Sequence, residues 1–385
     1  MNPRHSYLPF GQPNFSQLEI DAVTRVIRSG WVGMGPETIA FEEELARFTG
    51  APQVVAVSSC TAALFLSLLA AGVGAGDEVI VPSLTWCSSA NAALYLGAKP
   101  VFCDIDADTL SANLESLCGC VSGRTRAAVV VHFGGYALDM AALRKALPER
   151  VAIVEDAAHA FGARYPDGSM TGSSGNFVCF SFYANKNLST GEGGAVALDD
   201  ADAAARLRSL RQHGLPVDAW KRFTHARSVY LAGQLSELGY KMNYTDLQAC
   251  LGRAQLQRFA ELQERRAQIA RYYVERISRE RPDVVLQAHI AQDRHARHLF
   301  VVQLPLEAMT RSRDEVLLAM RESNLGATLH YQPLHLMPLY AASRPAQGLP
   351  VTERVAPRIM TLPIGANMSL EDAADVCDRL LALVS

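Results

Sequence analysis

Val54-Val-Ala-Val-Ser-Ser-Cys-Thr-Ala-Ala-Leu-Phe-Leu-Ser-Leu-Leu-Ala-Ala71 changes character halfway along. Val54–Val57 is a short, wholly apolar run that reads as a strand buried on both faces, and Thr61–Ala71 reads as the helix that follows it. The pattern repeats downstream. Glu78–Val81 reads as a strand and Ser88–Leu96 as a helix; Pro100–Cys103, Ala127–His132, Val151–Val154 and Phe177–Ser181 read as further short strands, with helical patterns such as Asp139–Ala146 between some of them. Short apolar runs alternating with helices predict an α/β fold with a mostly parallel sheet covered on both faces.

Upstream, Ser16-Gln-Leu-Glu19 is a capping-box pattern, Ile20, Val23 and Ile27 follow at helical spacing, and Gly30 supplies a stop. A second helix is expected over Pro36–Phe48. Downstream, Asp246–Arg281 reads as a long charged helical stretch linking two domains. His298–Leu304 and Ala327–Tyr331 read as strands, Asp314–Ser323 and Leu370–Val384 as helices, and Ala341–Pro350 as a turn-rich loop. The expected organisation is a large domain over 1–250, with an N-terminal helical segment, and a smaller α+β domain over 251–385. A chain of 385 residues exceeds one ordinary core.

The bulk numbers exclude several classes. A net charge of −3 offers no electrostatic footprint for nucleic acid or an anionic membrane. The longest apolar stretch, Ala62–Val73, is short of the roughly 20 residues needed to span a bilayer. The N-terminus lacks the apolar core of a secretory signal. The eight cysteines are scattered without CxxC pairs, so no metal site is expected, and they suit buried thiols in the cytoplasm.

In sheets of this kind ligands bind beyond the carboxyl ends of the strands. That rule selects Ser58–Thr61, Ser83–Trp86, Asp156–His159 and Ser181–Lys186. Lys186 on position alone reads first as a surface loop lysine, yet no acid lies within five residues of it and Gly191, Gly193 and Gly194 follow. A desolvated lysine has a lowered pKa and adds to carbonyls. Asp156 reads equally as an N-cap opening a short helix or as a carboxylate aimed into the cleft, where it could keep a pyridinium nitrogen protonated. His159 lies one helical turn on, and is as readily a satisfied core histidine. Ser58–Thr61 starts a helix directly after a strand, which is simple capping or an anion site suited to phosphate. Ser181 offers another hydroxyl. Trp86 is a core aromatic or a stacking surface for a flat ring.

With these segments in hand the sequence resembles the DegT/StrS family of sugar aminotransferases within the fold type I pyridoxal 5′-phosphate (PLP) enzymes. The resemblance runs over Gly30-Trp-Val-Gly-Met-Gly-Pro36, Val57-Ser-Ser-Cys-Thr-Ala-Ala63, Pro82-Ser-Leu-Thr-Trp86 and Glu155-Asp-Ala-Ala-His159. It continues through Ser181-Phe-Tyr-Ala-Asn-Lys186, Gly191-Glu-Gly-Gly194, Gly239-Tyr-Lys-Met-Asn243, His330-Tyr-Gln-Pro-Leu-His335 and Leu362-Pro363. It implies that Lys186 carries PLP as a Schiff base, Asp156 pairs with the pyridine nitrogen, Trp86 stacks on the ring and His159 lies beside it. Cys60, Thr61, Ala62 and Ser181 would hold the phosphate, with Cys60 standing where relatives usually carry Gly or Ala. Asn243 would reach the cofactor phosphate of the neighbouring subunit, which implies a homodimer with shared active sites.

The family also contains dehydratases in which a histidine replaces the lysine; Lys186 favours amino transfer, because only an amine can form the Schiff base and carry the proton. The resemblance further implies glutamate as donor, 2-oxoglutarate as its product, pyridoxamine phosphate as the form between the half-reactions, and a keto group on a nucleotide-linked sugar as acceptor. His159, Pro82–Trp86, Gly239-Tyr-Lys and His213-Gly-Leu-Pro-Val-Asp-Ala219 look most like the C4 branch that makes UDP-4-amino-4-deoxy-L-arabinose. A C3 sugar, a keto-cyclitol, or a regulatory PLP-binding protein with weak catalysis are the alternatives. His330 and Tyr331 are expected to touch substrate.

Overall fold

The computed structural model describes residues 3–215, 235, 237–288 and 294–384. The central sheet has seven strands: β1 (Gln53–Val57), β2 (Glu78–Pro82), β3 (Lys99–Cys103), β4 (Thr125–Val131), β5 (Ala152–Asp156), β6 (Phe177–Ser181) and β7 (Gly194–Leu198), in spatial order β1-β7-β6-β5-β4-β2-β3. The pairs β2–β3, β2–β4, β4–β5 and β5–β6 are parallel, and β7 runs against both β1 and β6. The sheet is therefore mostly parallel, as expected. The sequence reading missed β7, whose apolar run hides behind the glycines of the preceding turn. That turn folds back on β6 through Phe182 N–H to Gly193 O and Thr190 N–H to Phe182 O, both 2.9 Å.

The apolar runs are continuous because both faces are covered. Alternate residues such as Val54, Ala56, Val130 and Val178 meet the helices α2 (Pro36–Thr49) and α6 (Met140–Ala146) through Phe41, Leu45, Met140 and Leu143. Their neighbours Val55, Val57, Val129 and Cys179 pack on α3 (Cys60–Ala70), α4 (Ser88–Tyr95) and α7 (Ala201–Leu210). α5 (Leu114–Gly119) contributes Leu117 to the first layer. Between them the two layers exclude water from every strand, which is the main favourable term for such a sheet.

The first helix, α1 (Gln17–Ser29), begins at the expected capping box: Ser16 N–H donates to Glu19 Oε2 at 2.7 Å, and Leu18 N–H to Ser16 Oγ at 3.2 Å. Its apolar residues do not all turn inward. Ile20 and Ile27 are 56% and 59% exposed, and the contact with the helix Asp246–Gln257 is made by Ala22 and Val26 against Cys250 and Ala254.

A second core lies in the C-terminal part. The long helical stretch expected over Asp246–Arg281 is formed by two helices, Asp246–Gln257 and Phe259–Glu280. Strands β8 (Val285–Leu286), β9 (Phe300–Gln303) and β10 (Ile359–Leu362) form an antiparallel sheet in the order β10-β9-β8, packed with the helices Arg313–Glu322 and Leu370–Leu383. The strand expected over Ala327–Tyr331 is not formed; the segment makes a single bridge, Thr328 to Thr361. Gly326 explains the departure. Its N–H donates to Leu8 O at 2.8 Å, and a Cβ there would meet Leu8 O and Phe10 N, each at 2.7 Å. The chain is drawn against the N-terminal arm and then runs into the cleft, while β10 takes the place beside β9. No helix among the described residues is long and apolar enough to cross a membrane.

Candidate active site

The carboxyl ends of β1, β2, β5 and β6 deliver their following residues into one cavity of about 440 Å³. Cys60, Thr61, Trp86, Asp156, His159, Ser181, Lys186, His330 and Tyr331 line it. Of the residues given a cofactor, catalytic or substrate role from sequence, Ala62 and Asn243 do not line it.

Lys186 sits in the turn after β6, where its N–H donates to Tyr183 O at 2.9 Å. Its Nζ lies 3.2 Å from His298 Nε2. Burial pulls the amine down to about 8; Cys60 and Asp156 oppose that and Arg266 adds to it. Near neutral pH a useful fraction is therefore the free amine, the form that attacks a carbonyl.

Asp156 is the last residue of β5 and is buried. Its Oδ2 accepts from Ser89 Oγ at 2.7 Å, and its Oδ1 accepts from Ala158 N–H at 3.2 Å. The helix expected to start here is a pair of turns, and Oδ1 closes the first of them through the Ala158 amide. Its neighbour Glu155 is held in a buried network with His132 Nε2 at 2.8 Å and Tyr165 OH at 2.6 Å. The end of β5 is thus pinned by two acidic residues with separate partners.

His159 is both hydrogen-bonded and part of the cavity wall. Its Nδ1 accepts from Gly134 N–H at 3.3 Å, so the ring hydrogen is on Nε2, 3.1 Å from Tyr331 OH. Burial, together with Lys186 and His330, holds it well below the ordinary histidine range, and the ring is neutral. Trp86 is 59% exposed and stands at the wall, 5.8 Å from the Tyr331 ring at 47°. It is not a core aromatic. His330 Nδ1 lies 2.9 Å from Thr361 Oγ1, and burial pushes that ring down to about 3.

At the start of α3, Ser59 caps the helix by accepting from Ala62 N–H at 3.1 Å. That uses the Ala62 amide and leaves Cys60 and Thr61 as the amides without an intrahelical acceptor. The Cys60 thiol turns toward Asp156 Oδ1 at 3.8 Å and Cys179 O at 3.6 Å, and burial raises its pKa well above the usual value. Gly194 lets β7 pass beneath this loop: a Cβ there would meet Ser59 C at 2.5 Å and Cys60 N at 2.6 Å. Asn243 pairs with Val57 through a β-bridge and donates from Nδ2 to Tyr244 O at 2.9 Å, outside its own chain's cavity.

Sequence reasoning missed His298 and Ser89, and gave Tyr183 and Asn185 no role of their own within the selected segment Ser181–Lys186. His298 was read only as the first residue of a strand. Asn185 Oδ1 is buried at the cavity without a hydrogen-bond partner. An amine poised for a carbonyl, a buried carboxylate, an exposed indole face and free helix amides together suit a flat anionic ligand with a carbonyl group.

Residues 13–381 match the family model described as the DegT/DnrJ/EryC1/StrS aminotransferase family. The chain is 40% identical to the spore coat polysaccharide biosynthesis protein SpsC of Bacillus subtilis (strain 168), over 99% of this chain and 98% of that one. It is similar to the solved sugar aminotransferase CalS13 of Micromonospora echinospora, with 28% identity and a TM-score of 0.87 over 97% of this chain and 99% of that chain. It is also similar to Spr1654 of Streptococcus pneumoniae in its PLP-form, with 28% identity and a TM-score of 0.88 over 98% of each chain; that protein is also solved in a PMP-form.

Proposed function

The chain belongs to the DegT/DnrJ/EryC1/StrS aminotransferase family, whose cofactor is pyridoxal phosphate, and from that premise we propose that it moves an amino group from glutamate to C4 of a keto sugar carried on a nucleotide, using Lys186 and Asp156. It is a sugar aminotransferase; the donor, the nucleotide, the position and the residue roles are the proposal. The observation that carries it is the Lys186 amine, lowered to about 8, in the same cavity as the buried Asp156 carboxylate.

The residues fit the cofactor. The orphaned Asn185 Oδ1 leaves a buried acceptor open to a donor on the ligand, and the amides of Cys60 and Thr61 with the Ser181 hydroxyl would hold a phosphate. Asp156 would face the ring nitrogen, Trp86 would stack on the ring and the neutral His159 would lie beside it. When bound, pyridoxal phosphate supplies a carbonyl that takes up the amino group and a ring that accepts electrons from the substrate carbon.

The chain's own groups do the rest. Lys186 would hold the cofactor through its carbonyl carbon, with the oxygen leaving as water; once the substrate's amine displaces it, the freed Nζ would take the proton from one carbon and return it to the next, in both half-reactions. Asp156 is fixed by Ser89 and the Ala158 amide at the cavity wall. Tyr331 and His330 stand at the substrate side. The C4 assignment rests on His159, Pro82–Trp86, Gly239-Tyr-Lys and the His213–Ala219 stretch, of which residues 216–219 lie outside the described residues. The polysaccharide role of the relative SpsC supports a sugar acceptor. A cytoplasmic homodimer, with Asn243 of one protomer serving the cavity of its partner, and a division into domains 1–250 and 251–385 complete the reading.

Purified protein with added PLP should show a visible band at roughly 420 nm that glutamate bleaches. Offered a panel of nucleotide-linked keto sugars, it should return an amine at C4 by mass and NMR detection. Absence of the band would refute the roles of Lys186 and Asp156; amination at C3 or of a keto-cyclitol would refute the position; a band that glutamate leaves unchanged would point to another donor or a regulatory role.

A further inference from the structure

We infer that His298 is a positioning residue for Lys186: its Nε2 accepts a hydrogen bond from the lysine amine and aims the amine's lone pair into the cavity. The inference rests on the reading of Lys186 above and extends it to a residue 112 positions away.

The direction of the hydrogen bond is fixed by a chain of partners. His298 Nδ1 lies 3.1 Å from Asn187 Oδ1, an amide oxygen that only accepts, so Nδ1 carries the hydrogen and Nε2 the lone pair. The Asn187 amide cannot be reversed without loss, because its Nδ2 donates to Ala296 O at 2.6 Å and to Gln263 Oε1 at 3.1 Å. Gln263 in turn donates from Nε2 to Ala296 O at 2.8 Å. The imidazole is thus held as the tautomer that faces Lys186 Nζ, 3.2 Å away, with an acceptor.

Its place is fixed as well. The residues on either side are clamped to the turn after β4, Ala296 N–H to Gly135 O at 3.0 Å and Leu299 N–H to Gly134 O at 3.1 Å. The ring packs against His159 with centroids 4.8 Å apart. Lys186, His159, Arg266 and His330 act on it most after burial, and all of them disfavour the imidazolium. Asp156 lines the same cavity, yet burial with these neighbours holds the ring well below the ordinary histidine range.

The consequence for Lys186 is mechanical and electrostatic. A lysine side chain has many rotamers, and an amine with one hydrogen committed to a fixed acceptor keeps far fewer. When the amine carries a proton, the same Nε2 supports the ammonium where burial opposes it. Asn187, which sets the tautomer, is the next residue in the chain, so the amine and the device that orients it move together.

The test uses the full-length, cofactor-free protein labelled with ε-¹³C-lysine. The chain has only five lysines, and Lys186→Arg identifies the relevant resonance. The wild-type amine should titrate near 8. In His298→Leu it should titrate at least about one pH unit lower, and His298→Gln, whose side-chain oxygen can still accept, should restore most of that difference. With the cofactor loaded, His298→Leu should lose about ten- to a hundredfold in kcat with KM within about threefold, and His298→Gln should regain most of the loss. Asn187→Asp should charge the His298 ring and remove the acceptor, moving the acid limb of the kcat profile up by about one pH unit or more. A Lys186 titration unchanged in His298→Leu, an acid limb unmoved in Asn187→Asp, or a His298→Gln protein as impaired as His298→Leu would each overturn the inference. Because the titration needs no cofactor, failure of the parent reading would show separately, as loss of the visible band from wild-type protein.

Discussion

Ser89 Oγ donates to Asp156 Oδ2 at 2.7 Å, joining the first turn of α4 to the end of β5 across 67 residues of sequence. The same hydroxyl lies 3.0 Å from Thr85 Oγ1, on the loop that carries Trp86. The proposed ring-nitrogen partner and the proposed stacking surface are therefore tied to one serine.

Ser89→Ala should leave the fold intact and loosen the cofactor. Removing a hydrogen bond to a buried charged acceptor costs about 1.5–3 kcal/mol. With part of that recovered by water, the dissociation constant for PLP should rise about tenfold or more. Titration of the cofactor-free protein by tryptophan fluorescence measures it, and unchanged affinity would remove Ser89 from this role.

Lys186 should cost stability in the cofactor-free protein. Its folded pKa of about 8 lies below the ordinary lysine value of 10.5, so between those two pH values the unfolded chain binds the extra proton and stability rises with pH. Below about 8 the penalty is complete, at most about 3 kcal/mol and less for a site open to water. Lys186→Met should therefore raise Tm at pH 7, with a gap to wild type that narrows as pH climbs from about 8 toward 10.5. Calorimetry across that range checks it; a gap independent of pH would show that the amine is not desolvated.

Gly194→Ala should strike the proposed phosphate loop through sterics alone. The added methyl would lie within 2.7 Å of Ser59 and Cys60 backbone atoms, which side-chain rotation cannot relieve. Overpacking of this kind costs about 1–3 kcal/mol. Thermal unfolding should show the loss, and PLP retention on gel filtration should fall more steeply than stability does.

Asn243→Ala tests the sharing of sites. Asn243 is absent from its own cavity although the Val57 bridge holds it beside the loop that enters α3. The variant should release PLP more readily while remaining folded, measured as the cofactor-to-protein ratio after dialysis. A wild-type enzyme that is active as a monomer in light scattering would contradict a contribution from the partner.

Local pattern made much of this legible. The capping box at Ser16 and Glu19 needs only residues three apart, and the strand runs Val54–Val57 and Phe177–Ser181 needed only continuous apolar character. Each of these strand runs ends where a polar cluster begins, so the site segments followed from one topological rule. The misses arise where neighbouring residues or distant contacts override a local pattern. The apolar run of β7 follows directly on Gly191, Gly193 and Gly194 and so reads as part of the turn. Ala327–Tyr331 has strand character, yet Gly326 commits the chain to the N-terminal arm. Ile20 and Ile27 keep helical spacing, but Ala22 and Val26 make the contact.

Sequence by itself determined the element pattern and the chemical identity at the strand ends, above all an amine at 186. The element pattern and the residue types are properties of short stretches, set by periodicity and by residue type. Only the tertiary structure decided that Ser89 meets Asp156, that His298 meets Lys186, and that Asn187 fixes the tautomer between them. These partners come from separate elements, brought together when the apolar faces of sheet and helices close, and that closure selects contacts by shape across distances no local pattern spans.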